Sequence, residues 1–122
     1  MDSTKRDAFR THLEPELERL NAVIAEMEIE DRESLSDVSG ENNYRDHMAD
    51  QGSATFEREM GMTLEENARE ARSAVRHALE RMSEDLYGVC ERCSAEIPVE
   101  RLEAHPTATL CVPCKEAEES PR

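Results

Sequence analysis

The sequence predicts a mainly α protein: an antiparallel coiled-coil hairpin, then a small cysteine-bearing C-terminal module that ends in a short helix. Three observations carry this. Two stretches repeat apolar residues in alternating steps of four and three, the heptad seam of paired helices. Hydrophobic residues make up 37% of the 122-residue chain, aromatic ones 3% with no Trp, and charged ones 36%. That is too little bulk for a large globular core, but enough for helices that meet along one narrow stripe. All four cysteines fall into one pattern: Cys90-x2-Cys93, residues 94–110, then Cys111-x2-Cys114.

Residues 1–86 are expected to form the hairpin, with an acidic tip loop around 33–53, and residues 87–122 the module. The first arm runs from Ser3 to about Asp31, with Leu13, Leu17, Leu20, Ile24 and Met27 as its seam. Pro15 would interrupt a helix that begins at Ser3, so a lead-in turn is expected before a main helix starting near Thr11–Pro15. From Glu33 to about Gly52 the apolar period disappears among Ser34, Ser36, Ser39, Gly40, Asn42 and Asn43, which reads as a polar connection. A second helical stretch begins at Phe56. Gly61 weakens it, and Thr63 with Glu66 offers a capping box at which the helix would restart or bend. Beyond it Leu64, Ala68, Ala71, Val75, Ala78 and Met82 form the seam, broadened by Leu79 and Leu86. Tyr87-Gly88 ends this arm. Ile97, Val99, Leu102 and Leu110 are the apolar residues left to pack behind the cysteines, and a last helix is expected from Pro113 to about Ser120.

Two C-x2-C hooks at this separation suit one tetrahedral Zn²⁺ held by Cys90, Cys93, Cys111 and Cys114. A tight turn inside each hook points both sulfurs at a common centre, and the intervening residues are long enough for a small hairpin that returns the second hook. An iron site of rubredoxin type uses similar hooks but a more aromatic surround. A redox disulfide would need one pair, set in a strand–helix pattern that this chain lacks. Four protein ligands leave no open position for catalytic water, so the zinc is expected to be structural. It would supply folding free energy on the order of 10 kcal/mol to a module too small to bury much surface.

A formal net charge of −14 disfavours direct binding to DNA or RNA and to anionic membranes, and favours a basic protein surface or channel. No apolar run approaches the roughly 18 residues of a membrane-spanning helix, and paired thiols without a secretion signal fit a reducing, cytoplasmic setting. In the polar connection, Asp46 and Asp50 read either as loop carboxylates that shape a turn and cap the next helix, or as an acidic tip offered to Mg²⁺ or Arg.

The run Tyr87-Gly88-x-Cys90-x2-Cys93, then Ile97, Arg101-Leu102-Glu103-Ala104, Pro106-Thr107-Ala108, Leu110-Cys111 and Cys114-Lys115 resembles the four-cysteine zinc finger of the DksA/TraR family. The preceding heptads and the acidic loop, followed by Phe56-Glu57-Arg58-Glu59, are similar too. The likeness is close over residues 44–116 and holds in pattern alone for the first arm. It implies a bacterial, non-enzymatic, monomeric transcription regulator that binds RNA polymerase. The zinc finger would sit at the rim of the secondary channel, and the coiled-coil tip would reach toward the catalytic centre. The family's best-known tip is Asp-x-x-Asp-x-Ala. Counting back from Cys90 places His47, Asp50 and Gly52 there, which makes Asp50 the matching carboxylate and Asp46 a neighbouring substitute for the first. Members that answer to guanosine tetraphosphate in the stringent response use basic residues at positions corresponding to Ala74, His105 and Lys115, of which the lysine is still basic. Two other readings fit the residues: a Gre-like transcript-cleavage factor delivering acidic residues and Mg²⁺ through the same channel, and a zinc-ribbon adaptor for another protein.

Overall fold

The computed structural model describes the backbone of residues 1–38 and 51–120, and the side chains of residues 1–33 and 59–120. Among the described residues four helices follow one another: α1 (Ser3–Val38), α2 (Gln51–Ser83), α3 (Val99–Ala104) and α4 (Val112–Glu119). Among the described residues there is no strand, only an isolated antiparallel bridge between Val89 and Glu96. The fold is the mainly α hairpin with a small C-terminal module that the heptads and cysteines predict.

The helix ends differ from expectation in instructive ways. No lead-in turn precedes α1, which starts at Ser3, and Pro15 lies inside it. The Asp2 carboxylate caps the helix by accepting the Lys5 N–H at 2.8 Å, which fixes the start ahead of the proline. Pro15 faces solvent, while Leu13 and Leu20 on either side are buried. The missing N–H therefore falls on the side where water can serve the freed carbonyl. At its other end α1 continues past Asp31 to Val38, and α2 begins at Gln51, ahead of Phe56. Loss of the apolar period removes a face to bury but does not stop a helix; the first strong breaker after the seam is Gly40. Nor does α2 restart at Thr63. That hydroxyl donates to the Glu59 carbonyl at 2.9 Å, a bond back along a continuous helix in place of a cap.

The described chain packs as two compact units: Met1–Leu17 with Ser73–Arg122, and Glu18–Arg72. In the first, Leu13, Val75, Ala78, Met82, Tyr87, Ile97 and Leu102 are buried together with Cys90 and Cys111. In the second, Leu20 and Ile24 are buried and Met27 is half-buried. Across that unit Arg72 pairs with Asn21 at 3.3 Å, and Arg69 with Glu28 at 2.7 Å. Position rises on α1 as it falls on α2, so the arms run antiparallel.

The seam predicted for α1 matches the inward face. On α2 it matches at Ala68 and from Val75 onward, but Leu64 is 55% exposed and Ala71 is exposed, while Glu65, Arg69 and Arg72 are partly buried. A straight α-helix drifts against a strict 3.5-residue repeat. The long aliphatic stems of Glu65 and Arg72 cover the seam while their charged ends pair outside it. Leu86 likewise lies outside the seam, 40% exposed.

Candidate metal centre and hairpin tip

The first hook is built by a turn that leaves α2. The N–H of Leu86 returns to the Arg81 carbonyl at 2.8 Å, and Asp85 (φ 60°) takes the left-handed position that ends the helix. The Arg6 guanidinium meets the exposed Asp85 carboxylate at 2.5 Å. Gly88 has φ 85°, so a side chain there would be strained. The chain then doubles back: Cys90 N–H donates to Ala95 O at 2.8 Å, Ser94 N–H to Cys90 O at 3.0 Å, and Ile97 N–H to Gly88 O at 2.7 Å. This loop turns the sulfurs of Cys90, which is buried, and Cys93, which is exposed, toward a common point.

Between the hooks the expected hairpin is replaced by helix α3. Pro98 precedes it with φ −56° and cannot extend a bridge ladder, while Leu102 on the helix is fully buried. Two side chains tie this segment down. The Tyr87 hydroxyl donates to the Pro106 carbonyl at 2.7 Å, and the Arg101 Nε donates to the Leu110 carbonyl at 2.9 Å. Tyr87 stacks at a tilt on Phe9, ring centres 5.5 Å apart, and burial raises its pKa to about 12. The second hook opens α4, with Cys111 as N-cap, Pro113 in the first turn and the Lys115 N–H closing on Cys111 O at 2.9 Å. Cys111 and Cys114 therefore sit at the start of a helix, one as its cap and the other in its first turn.

The four Sγ atoms lie within 4.8 Å of one another, with Cys93 and Cys111 at 3.6 Å. Four sulfurs about 2.3 Å from a tetrahedral Zn²⁺ would be about 3.8 Å apart. The donor set fits one structural Zn²⁺. The pKa values show the competition that such a cation would relieve. Burial pushes the Cys90 thiol up, but hydrogen bonds from the backbone of Cys111, Cys93 and Arg92 outweigh it and bring the pKa to about 6. Cys114 is pushed up to about 12, first by its hydrogen bond with Cys111, then by burial and the other two cysteines. A dication held at this point would favour the thiolate form of all four sulfurs.

His105 and Lys115 come together along one groove of about 500 Å³, which Arg101 and Thr107 also line. Lys115 Nζ lies 3.6 Å from Glu119, so acidic residues share that wall. Arg101 is a lining cation that sequence reasoning did not single out; its place four residues before His105 on α3 is the signal for it. Asp46, His47 and Asp50 lie outside the described residues.

A second set was also missed. Arg81 on α2 donates to the carbonyls of Val89 at 2.7 Å and Leu86 at 3.2 Å, and lies 3.3 Å from the carboxylate of Glu91. His77, one turn earlier, pairs with the same carboxylate. Burial pushes the Glu91 carboxyl up, but the His77 hydrogen bond and the charges of His77 and Arg81 outweigh it and leave its pKa lowered.

The family model for the prokaryotic dksA/traR C4-type zinc finger matches residues 86–120. The general stress protein 16O of Bacillus subtilis is 41% identical over 87 residues, 70% of this chain and 53% of that protein. The RNA polymerase-binding transcription factor DksA of Caulobacter vibrioides is 33% identical over 90 residues, 74% of this chain and 63% of that one. The match thus spans less than two thirds of these relatives' length. The structure of transcription factor DksA2 from Pseudomonas aeruginosa superposes with a TM-score of 0.76 at 32% identity, covering 97% of this chain and 85% of that one.

Proposed function

This chain belongs to the DksA/TraR family, and on that premise we propose that it is a bacterial transcription regulator that acts by binding RNA polymerase, without an enzymatic step of its own. The observation that carries the reading is the likeness to DksA2 over 85% of that chain, hairpin and metal module together. In this reading the zinc-bearing segment 87–122 anchors the protein at the rim of the secondary channel, and the coiled coil of residues 1–86 enters it. Asp50, with Asp46 or His47 beside it, is brought toward the catalytic centre.

The physical chemistry supports this. A net charge of −14 repels nucleic acid and suits a channel lined to admit anionic nucleotides. Among the described residues no helix is long and apolar enough to cross a membrane. We place the protein in the cytosol as a monomer, where its polymerase partner is. The groove holding Arg101, His105 and Lys115 is the place at which guanosine tetraphosphate would be bound between protein and polymerase. Glu116 and Glu119 on the same groove, with one of them beside Lys115, offset part of its positive charge.

The test is co-elution of the full chain with core RNA polymerase at physiological salt, with competition by a known secondary-channel ligand. Retention that the competitor abolishes is the expected result. Failure to bind core or holoenzyme would turn the reading toward an adaptor for another protein.

A further inference from the structure

The residue that joins the metal centre to the helix before it is Glu91, inside the first hook. Its backbone N–H donates to the Thr109 carbonyl at 2.8 Å, and its side chain is hydrogen-bonded to Thr109 as well. Thr109 lies two residues before Cys111, so Glu91 ties the first hook to the segment that delivers the second. On its other side the carboxylate faces Arg81 and His77 of α2. The Arg81 side chain is 12% exposed and is committed at once to this carboxylate and to the carbonyl of Val89. Arg81 therefore grips the residues immediately before and after Cys90.

We infer that Glu91 is a positioning residue for the zinc ligands, held by Arg81 and His77, so that the last turns of α2 pre-shape both hooks for the metal. A C-x2-C hook has two freely turning residues between its cysteines, and fixing one of them reduces the conformations the thiolates must abandon on binding. Groups that orient metal ligands change affinity by about 10–100-fold when removed. A guanidinium suits the role because its planar fork reaches the Val89 carbonyl and the Glu91 carboxylate from two separate nitrogens, whereas an ammonium must serve both from one atom. The inference rests on the zinc site and is independent of the polymerase reading.

The test is Co²⁺ and Zn²⁺ titration of the full chain under reducing conditions, with the cobalt–thiolate absorption as readout and a competing chelator setting the scale. Glu91→Ala and Arg81→Lys are each expected to lower affinity about 10–100-fold, and Glu91→Gln, which keeps one acceptor oxygen, by less. The double variant should lose no more than the worse single one, because the two residues form one brace. Glu100→Ala, which removes the same charge from the exposed first turn of α3, should bind as wild type. Cobalt absorption reads ligation itself, so a variant that folds only with metal still returns an affinity. Wild-type affinity in Glu91→Ala and Arg81→Lys would overturn the inference. So would additive losses in the double variant, or an equal loss in Glu100→Ala.

Discussion

The unit formed by Met1–Leu17 and Ser73–Arg122 buries a run of apolar side chains from Leu13 to Leu102 and brings four sulfurs within 4.8 Å of one another. The unit Glu18–Arg72 buries Leu20 and Ile24 among its described side chains, and its arms also meet through charged and amide groups: Asn21 with Arg72, and Glu28 with Arg69. Burial of apolar surface stabilises far more than exposed ion pairs do. The metal-bearing unit is therefore built to hold one shape, and the hairpin unit is built to keep a polar, acidic surface with modest internal cohesion.

The largest expected effect comes from taking the metal away. Chelation, or Cys90→Ser, removes a contribution on the order of 10 kcal/mol from the module that contains both hooks. Hydrogen exchange should then show protection lost across residues 87–111, with zinc content falling in parallel; a module that stays protected without metal would contradict the closed-site account.

Next come single side chains chosen to contrast the units. Leu102, fully buried, should cost about 2–5 kcal/mol when replaced by Ala, while Leu64→Ala, at an exposed position, should stay within about 0.5 kcal/mol. Urea unfolding of both variants checks this. Comparable losses would mean that the heptad reading of α2 is right at Leu64 and the exposed placement wrong.

The smallest effect is a pH response in the hairpin unit. The Asp31 pKa is raised from 3.8 by its hydrogen bond with Glu65, by burial and by the charges of Glu65 and Glu30, partly offset by Arg69. The Glu65 pKa is lowered from 4.5, first by its hydrogen bond with Arg69 and then by that with Asp31. A carboxyl with a raised folded-state pKa costs stability while ionised, and protonation as pH falls toward 3.8 returns that cost. The Glu65 contribution begins to be lost below pH 4.5, where the unfolded carboxyl takes a proton, and is gone once pH has fallen through its lowered folded-state pKa, so the two responses oppose each other over the same range. Thermal melting followed against pH should therefore fall less steeply through this range in wild type than in Asp31→Asn, where the Glu65 loss is unopposed; equal slopes would contradict the pairing.

Much of this was legible in the sequence, for physical reasons that also mark where legibility ends. Seam residues Leu13 to Met27 are large and aliphatic, so the repeat and the burial coincide. The α2 seam was misread at Leu64 and Ala71 because alanine contributes little to either face, and because the stems of Glu65 and Arg72 cover the groove while counting as charged in a pattern. Pro15 was read as a break since sequence shows the lost N–H but not which side of the helix it faces. The four cysteines announced their site through spacing alone. The brace of His77, Arg81 and Glu91 did not, because it joins residues on different elements whose approach depends on the turn at Asp85 and Gly88.

The most direct test of the central claim measures the lifetime of open promoter complexes formed by RNA polymerase with wild-type protein and with Asp50→Asn at matched occupancy. The account predicts that wild type changes the lifetime while Asp50→Asn binds equally and leaves it unchanged. Equal effects of the two proteins, or no effect of either despite binding, would contradict an acidic tip acting at the catalytic centre.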